Sequence, residues 1–318
     1  MKALIIFLLA VISYSKILVV NSYDNKDQCG MPQLNGFLSE MYEHGYDPTD
    51  FDIYFLNSRI IPKSKLLIKS KQILKKLKNY DYVVTFDDTA FQLIAIPASK
   101  KNKFVFFSGI NIPFNTYQKK YHLNKDLFGG VFEKLHAKEV LNTFNKIKPI
   151  RNIALFYSKG VGKIVKNQIK NELKNTVYEN KIRYIYCETV QCLEKETKKV
   201  NENKDFTLFI PLTLSLKQKN SKIPIYKLKN IYLKNLNKPD VSFNMNFAKL
   251  GFLGFGGVDF FNMGKNCAYL MLKYMKNKKL NIINAPKAYY FINASRAKKI
   301  DFQVPKWYIE NYVKEVIW

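Results

Sequence analysis

The polar residues best placed for chemistry cluster just after strand-like runs. Asn21-Ser22-Tyr23-Asp24 follows the first run, Phe86-Asp87-Asp88-Thr89 the third and Ser108-Gly109-Ile110-Asn111 the fourth. Further along, Tyr157-Ser158-Lys159-Gly160-Val161-Gly162 and Pro211-Leu212-Thr213 follow two more. Together they offer hydroxyls, carboxylates, an amide and glycine-exposed backbone N–H groups, a set suited to a small polar ligand held between apolar or aromatic walls. Asp87-Asp88-Thr89 serves equally well as a helix N-cap. The segment 158–162 resembles a phosphate-cradling loop but lacks the GxxxxGK[ST] pattern, which argues against a nucleotide.

Catalytic constellations are weak. The chain holds no G-x-S-x-G, no H-E-x-x-H and no carboxylate pair with a partner histidine. Of its three histidines, His44 and His136 fall in helical segments and read as surface residues, and His122 lies in a loop without an acid–base partner. No Cys-x2-Cys or His-x3-His spacing occurs, so neither a metal nor a cofactor is expected. Cys187 and Cys192 lie five apart, Cys29 and Cys267 far apart, and either pair could bridge in an oxidising compartment.

The elements that must position these loops alternate. Strand-like runs cover 17–20, 51–55, 82–85 and 104–107, separated by helix-like segments at 32–42, 64–77 and 89–96, the last stopped by Pro97. A second series has helices at 133–147, 162–173 and 190–200, and strands at 152–157, 182–186, 206–210 and 223–226. The glycine-rich 251–258 reads as a strand whose glycines permit close packing. A helix at 259–276, a strand at 288–292 and a helix at 306–318 complete the chain. Repeated strand–helix units imply parallel sheets covered by helices, hence an α/β protein of two doubly wound lobes. The expected division is 16–115 plus about 251–280 for one lobe and 116–250 plus about 281–318 for the other.

Met1-Lys2, the apolar run 3–12 and Ser13-Tyr14-Ser15 form the three-part pattern of a signal peptide, cleaved after Ser15; an uncleaved anchor is the alternative. The expected location is therefore periplasmic. The 318 residues carry 52 Lys+Arg against 25 Asp+Glu, a net charge of +27. Only four of the basic residues are arginine: Arg59, Arg151, Arg183 and Arg296. The lysines are spread over nearly every helix and no nucleic-acid module is visible, so the charge reads as wet helix faces rather than a nucleic-acid patch. With 47% hydrophobic residues, a disordered basic tail is excluded.

Several motifs, in order, match one known family. They are Ile17-Leu18-Val19-Val20-Asn21-Ser22-Tyr23; Gln33 with Gly36-Phe37; Asp87-Asp88-Thr89-Ala90-Phe91; and Phe106-Phe107-Ser108-Gly109-Ile110-Asn111. Gly130-Val131-Phe132-Glu133, the strand 153–158, Ile210-Pro211-Leu212, Gly264 to Leu272, Ile292-Asn293-Ala294 with Ala297, and Val304-Pro305 follow. From about Lys16 onward the chain resembles the substrate-binding proteins of ABC transporters with the type I periplasmic-binding fold. The nearest branch is that of aromatic-amino-acid binders and sensor-kinase ligand domains. The resemblance implies two hinged α/β lobes that close on a ligand in the cleft, without chemistry. It implies that Ser22, Tyr23, Asp87, Asp88, Asn111, Ser158 and Thr213 line that cleft. Asp87 or Asp88 would pair with a ligand ammonium, Asn111, Ser158 and Thr213 with a carboxylate or amide, and Tyr23 would stack. The chain departs from the family at Gln28-Cys29-Gly30, where relatives carry an aromatic–Thr pair, and in the Lys- and Asn-rich stretch 227–246.

The expected function is thus an exported, monomeric solute-binding protein. It would capture an amino acid or similar small molecule and deliver it to an ABC permease. The alternatives are a sensor of the same fold signalling to a membrane partner, and a doubly wound enzyme such as a glycosyltransferase, for which Asp87-Asp88 would be the metal-binding pair.

Overall fold

The computed structural model describes residues 16–218 and 221–318. The expected signal peptide, 1–15, lies outside the described residues. Two compact units form among the described residues, 16–132 with 260–283 and 133–259 with 284–318, so the chain passes between them three times. Among the described residues no helix is long and apolar enough to cross a membrane.

The first unit is built on β1 (Ile17–Asn21), β2 (Phe51–Phe55), β3 (Tyr82–Phe86), β4 (Phe104–Ile110) and β5 (Phe128–Phe132). These five strands are parallel, and the sheet order, with β12 (Ile282–Asn284) at one edge, is β12-β5-β4-β3-β1-β2. β1 is buried throughout, as its unbroken ILVV run requires of a strand covered on both faces. One face packs on a cluster that includes Phe91, Phe107 and Phe128, with Phe91 and Phe107 edge-to-face at 5.3 Å. On the other, Phe37 of the helix Gly30–Glu43 meets Phe86 edge-to-face at 5.9 Å. This helix also lies directly on the helix Phe260–Asn277: a Cβ added at Gly264 would sit 1.8 Å from the Gln33 carbonyl oxygen.

Two expectations for this unit change. The expected lobe division at 115/116 falls inside the helix Phe114–Tyr121, and Phe128–Phe132 pairs with the open edge of β4 as β5. Pro97 does not stop its helix. Asp87–Ala90, a π-helical turn Phe91–Ala95 and Ile96–Ser99 run on continuously, and the widened turn accommodates a residue that lacks an N–H.

In the second unit β6 (Asn152–Tyr157) lies between β7 (Ile182–Tyr186) and β8 (Phe206–Pro211), all parallel. The segment Asp240–Phe243 continues the layer by bridging to Phe209 and Gly257. Beyond it come β11 (Gly254–Gly257), β13 (Tyr289–Asn293) and β14 (Val313–Ile317). β9 (Lys217–Gln218) and β10 (Ser221–Lys222) form a short antiparallel pair. β12 (Ile282–Asn284) joins the first unit's sheet.

The glycines of 251–258 act as expected: a Cβ at Gly257 would meet the Phe243 carbonyl oxygen at 1.9 Å. Other parts of this unit depart from the expectation. Residues 133–136 precede the helix Ala137–Ile147 rather than beginning it. Pro224 opens the helix Ile225–Asn235 where a strand was expected. The C-terminal helix ends at Asn311, and the β-branched Val313, Val316 and Ile317 take up the free edge of β13 as a parallel strand. Cys187 and Cys192 form a disulfide with Cα atoms 5.5 Å apart, tying the end of β7 to the helix Val190–Glu202; Cys29 and Cys267 are buried thiols.

Candidate functional site

In the first sheet the chain leaves β1 toward β2 on one side and reaches β3 on the other. The strand order therefore reverses between β1 and β3, and a crevice opens beyond their carboxyl ends. The loops carrying Ser22, Tyr23, Asp87 and Asp88 flank that point, and Asn111 follows β4 next to β3. Five of the seven expected residues are thus brought to one end of one sheet.

Their roles there divide. The Ser22 hydroxyl donates to the Phe86 carbonyl at 2.6 Å and accepts from the Ala90 N–H at 2.8 Å. It therefore works as a clamp, closing the start of the helix that follows β3. Asp87 takes the left-handed conformation, φ 67, which Asp tolerates better than most side chains, and it is buried. Its carboxylate accepts from the Gln33 side-chain amide at 3.1 Å, and the other end of that amide accepts from the Ser108 hydroxyl at 2.7 Å. One buried glutamine therefore joins the ends of β3 and β4 to the helix Gly30–Glu43. A Cβ at Gly109 would stand 2.6 Å from the Gln33 amide oxygen, and Gly109 itself has φ +81, so that position requires glycine.

Asp88 is partly buried. Its Oδ2 accepts from the Asn111 backbone N–H and side-chain amide, both at 3.2 Å, and its Oδ1 accepts from the Tyr117 hydroxyl at 2.8 Å. Burial, reinforced by the Asp88 charge, lifts the Tyr117 pKa above the ordinary tyrosine range, so the phenol stays a donor. Asp88 is only partly buried, and a carboxylate has about four acceptor positions. It retains capacity for one more donor.

The structure adds residues to this site. The Arg59 guanidinium lies 3.7 Å from the centre of the Tyr23 ring and forms an ion pair with Asp27. Asp27 in turn accepts from the N–H groups of Cys29 at 2.8 Å and Gly30 at 2.9 Å, capping the helix Gly30–Glu43. Burial alone would depress the Arg59 pKa, but Tyr23, Asp27, Cys29 and Asp87 outweigh it and raise it. The signal for Arg59 was its rarity. In a chain with four arginines, each marks a place where a planar, stacking fork does what lysine cannot. Local charge also runs against the whole. In a +27 protein these loops set Asp24, Asp27, Asp87 and Asp88 against Arg59 and Lys26 alone.

In the second unit, Ser158 and Thr213 follow the adjacent parallel strands β6 and β8. The Ser158 hydroxyl donates to the Ser215 carbonyl at 3.4 Å. A Cβ at Gly162 would lie 3.0 Å from the Leu212 carbonyl oxygen and 3.5 Å from the Ser158 hydroxyl, so the first turn of the helix Val161–Glu172 rests on both loops. Thr213 is fully buried beside the Tyr232 hydroxyl, the two short of good hydrogen-bond geometry, so its side chain is directed into the core.

His136, expected at the surface, is buried. Burial lowers its pKa, Glu139 at 3.2 Å opposes that, and Lys134 adds to it. It borders a half-open pocket of about 500 Å³ with Lys134, Lys138, Glu139, Asn142 and Glu172. Glu172 accepts from the N–H groups of Leu135 and Ala137, both at 2.8 Å, and so pins the start of the helix Ala137–Ile147. Among the described residues no group of three or more His, Cys, Asp or Glu side chains is arranged to hold a metal ion.

No family model and no curated protein matches the chain. Its structure is similar to those of solved proteins. A ligand-free, open substrate-binding protein with adhesive properties from Clostridium difficile superposes with a TM-score of 0.70 at 12% identity, covering 96% of this chain and 99% of that one. The ABC domain in complex with L-Trp from Streptococcus pneumonia gives 0.65 at 18% identity, over 96% and 100%. The trehalose repressor from Escherichia coli gives 0.51 at 13%, over 87% and 100%. The fold is thus the type I periplasmic-binding fold, which the sequence motifs had suggested.

Proposed function

We propose that this protein is an exported solute-binding protein. It holds a small polar ligand such as an amino acid at the carboxyl ends of its parallel sheets and delivers it to an ABC permease. The observation that carries this reading is the set of groups at the β1/β3 switch point. Asp88 is held by Asn111 and Tyr117 with acceptor capacity left over, and Tyr23 is fixed beneath Arg59. The surplus of carboxylates there favours a ligand that carries an ammonium group. Tyr23, held beneath Arg59, is the aromatic residue of this reading. The disulfide is consistent with an oxidising compartment outside the cytoplasm. Amino-acid binders are among the proteins that share the fold, as the L-Trp complex illustrates.

A thermal-shift screen of amino acids, short peptides, sugars and organic anions tests this. A ligand at a hundred times its Kd adds about 2.7 kcal/mol of stability. Asp88→Asn should then weaken an ammonium-bearing hit by about tenfold, the scale of one charge-assisted hydrogen bond. No hit with any solute, together with turnover of a nucleotide-sugar, would reject the binding reading. Undiminished affinity in Asp88→Asn would remove that residue from the site.

A further inference from the structure

Between Asp52 and Asp81 the chain has no acidic residue, yet it carries Arg59 and seven lysines: Lys63, Lys65, Lys69, Lys71, Lys75, Lys76 and Lys78. Most of this stretch is the helix Lys63–Lys75. Leu66, Ser70 and Ile73 form its buried face. Ser64, Ile68, Lys71 and Lys75 recur at three- and four-residue spacing on the opposite side, where all four are exposed. Ile68 is 58% exposed at the centre of that face, Leu67 is 39% exposed on its flank, and Ile60, in the turn that leads in, is 68% exposed. Among the described residues no ion pair engages Lys63, Lys65, Lys69, Lys71, Lys75 or Lys78.

The helix Val190–Glu202 shows the contrast. Its lysines alternate with Glu194, Glu196 and Glu202, Lys199 pairs with Glu196 at 2.8 Å, and it exposes no large aliphatic side chain. That is how a merely solvated face is built.

We infer that the face formed by Ile68, Lys71 and Lys75 is a docking surface for an anionic lipid bilayer. Lysines opposite lipid headgroup charge supply long-range attraction, and aliphatic side chains at the centre of the face enter the headgroup–acyl boundary. A nucleic acid would gain nothing from exposed isoleucines. It would use arginines and stacking aromatics, and here Arg59 is committed to Asp27 and Tyr54 lies under Lys76. The inference is independent of which solute the protein binds.

The test is co-sedimentation of the full chain with phosphatidylcholine vesicles, with and without about one-third phosphatidylglycerol. Anionic vesicles should bind at least about tenfold more tightly, and the preference should vanish between about 0.05 M and 0.5 M salt. Lys71→Glu with Lys75→Glu should abolish it, and Ile68→Ser should weaken binding severalfold. Lys195→Glu with Lys198→Glu makes the same change in net charge on the contrasting helix and should leave binding within about twofold. All five positions are at the surface, and melting curves verify folding. Equal binding to neutral and anionic vesicles, or retention of the preference in the Lys71/Lys75 variant, overturns the proposal. So does an equal loss in the Lys195/Lys198 variant, or tighter salt-sensitive binding of a DNA duplex through the same lysines.

Discussion

Replacing Gln33 by leucine tests the assembly of the candidate site. The two side chains are similar in size, so little cavity results, but leucine makes none of the amide's bonds. Gln33 is fully buried, donates to the Asp87 carboxylate at 3.1 Å and accepts from the Ser108 hydroxyl at 2.7 Å. A hydrogen bond to a charged group contributes about 1.5–3 kcal/mol, and orphaning a buried hydroxyl costs about 1–3 kcal/mol. Leucine returns part of this because it has no polar group to desolvate, which leaves a net loss of roughly 3–4 kcal/mol. At about 2–4 °C per kcal/mol for a unit of this size, Tm falls by about 10 °C. Urea unfolding measures the loss directly. Ligand titration of the variant reports whether the strand ends have moved, because Asp87 neighbours Asp88 in the chain. Gln33→Glu supplies a second readout. It sets a carboxylate against that of Asp87, so the two share a proton and the variant regains stability as pH falls. A Gln33→Leu protein within about 1 kcal/mol of the parent would refute the idea that this amide organises the switch point.

Two further outcomes follow from packing and burial. Burial drives the Asp240 pKa from its ordinary 3.8 up to about 6, against the pull of the Gly254 and Leu253 N–H groups and the Arg296 charge. A raised acid binds its proton more tightly in the native state. Its contribution is therefore fully present below about pH 4 and lost as pH rises through about 6. The stability difference between parent and Asp240→Asn, followed by urea unfolding, should shift by about 3 kcal/mol across that window; a flat difference contradicts the assignment. Gly264→Ala forces a methyl to within 1.8 Å of the Gln33 carbonyl oxygen, so the helices Gly30–Glu43 and Phe260–Asn277 must separate. A destabilisation of about 3 kcal/mol is expected in thermal melts, and a change below about 0.5 kcal/mol would show that the helices slide freely.

Much of this molecule is legible in one dimension because it follows from local periodicity. Apolar runs such as ILVV, separated by amphipathic helices, mark buried parallel strands, and the loops after them are where a doubly wound sheet presents its ligand groups. That is why the sequence directs attention to Tyr23, Asp88 and Asn111, which do follow parallel strands of one sheet. Glycine positions carried similar weight: GFLGFGG does bring backbones into contact. What local pattern cannot supply is the partner of each polar group. Ser22 looks as available as Asn111 in the sequence, yet its hydroxyl is spent on Phe86, 64 residues away. Thr213 follows a strand as expected, but the neighbouring Tyr232 shows that it turns inward.

The sequence by itself determined the alternating α/β architecture, the strand-end loops and the rarity of arginine, because each is a matter of residue type and near-neighbour spacing. Only the tertiary structure decided that β5 and β14 complete the sheets, since an unmatched strand edge stabilises segments whose own periodicity is weak. It also decided which hydroxyls and carboxylates are consumed inside, because burial obliges a polar group to pair with whatever the fold brings beside it. The Arg59–Asp27–Tyr23 cluster is the clearest case. Its members are spread over 37 residues that include a helix and a strand, and they become one site only when β1 and β2 lie side by side.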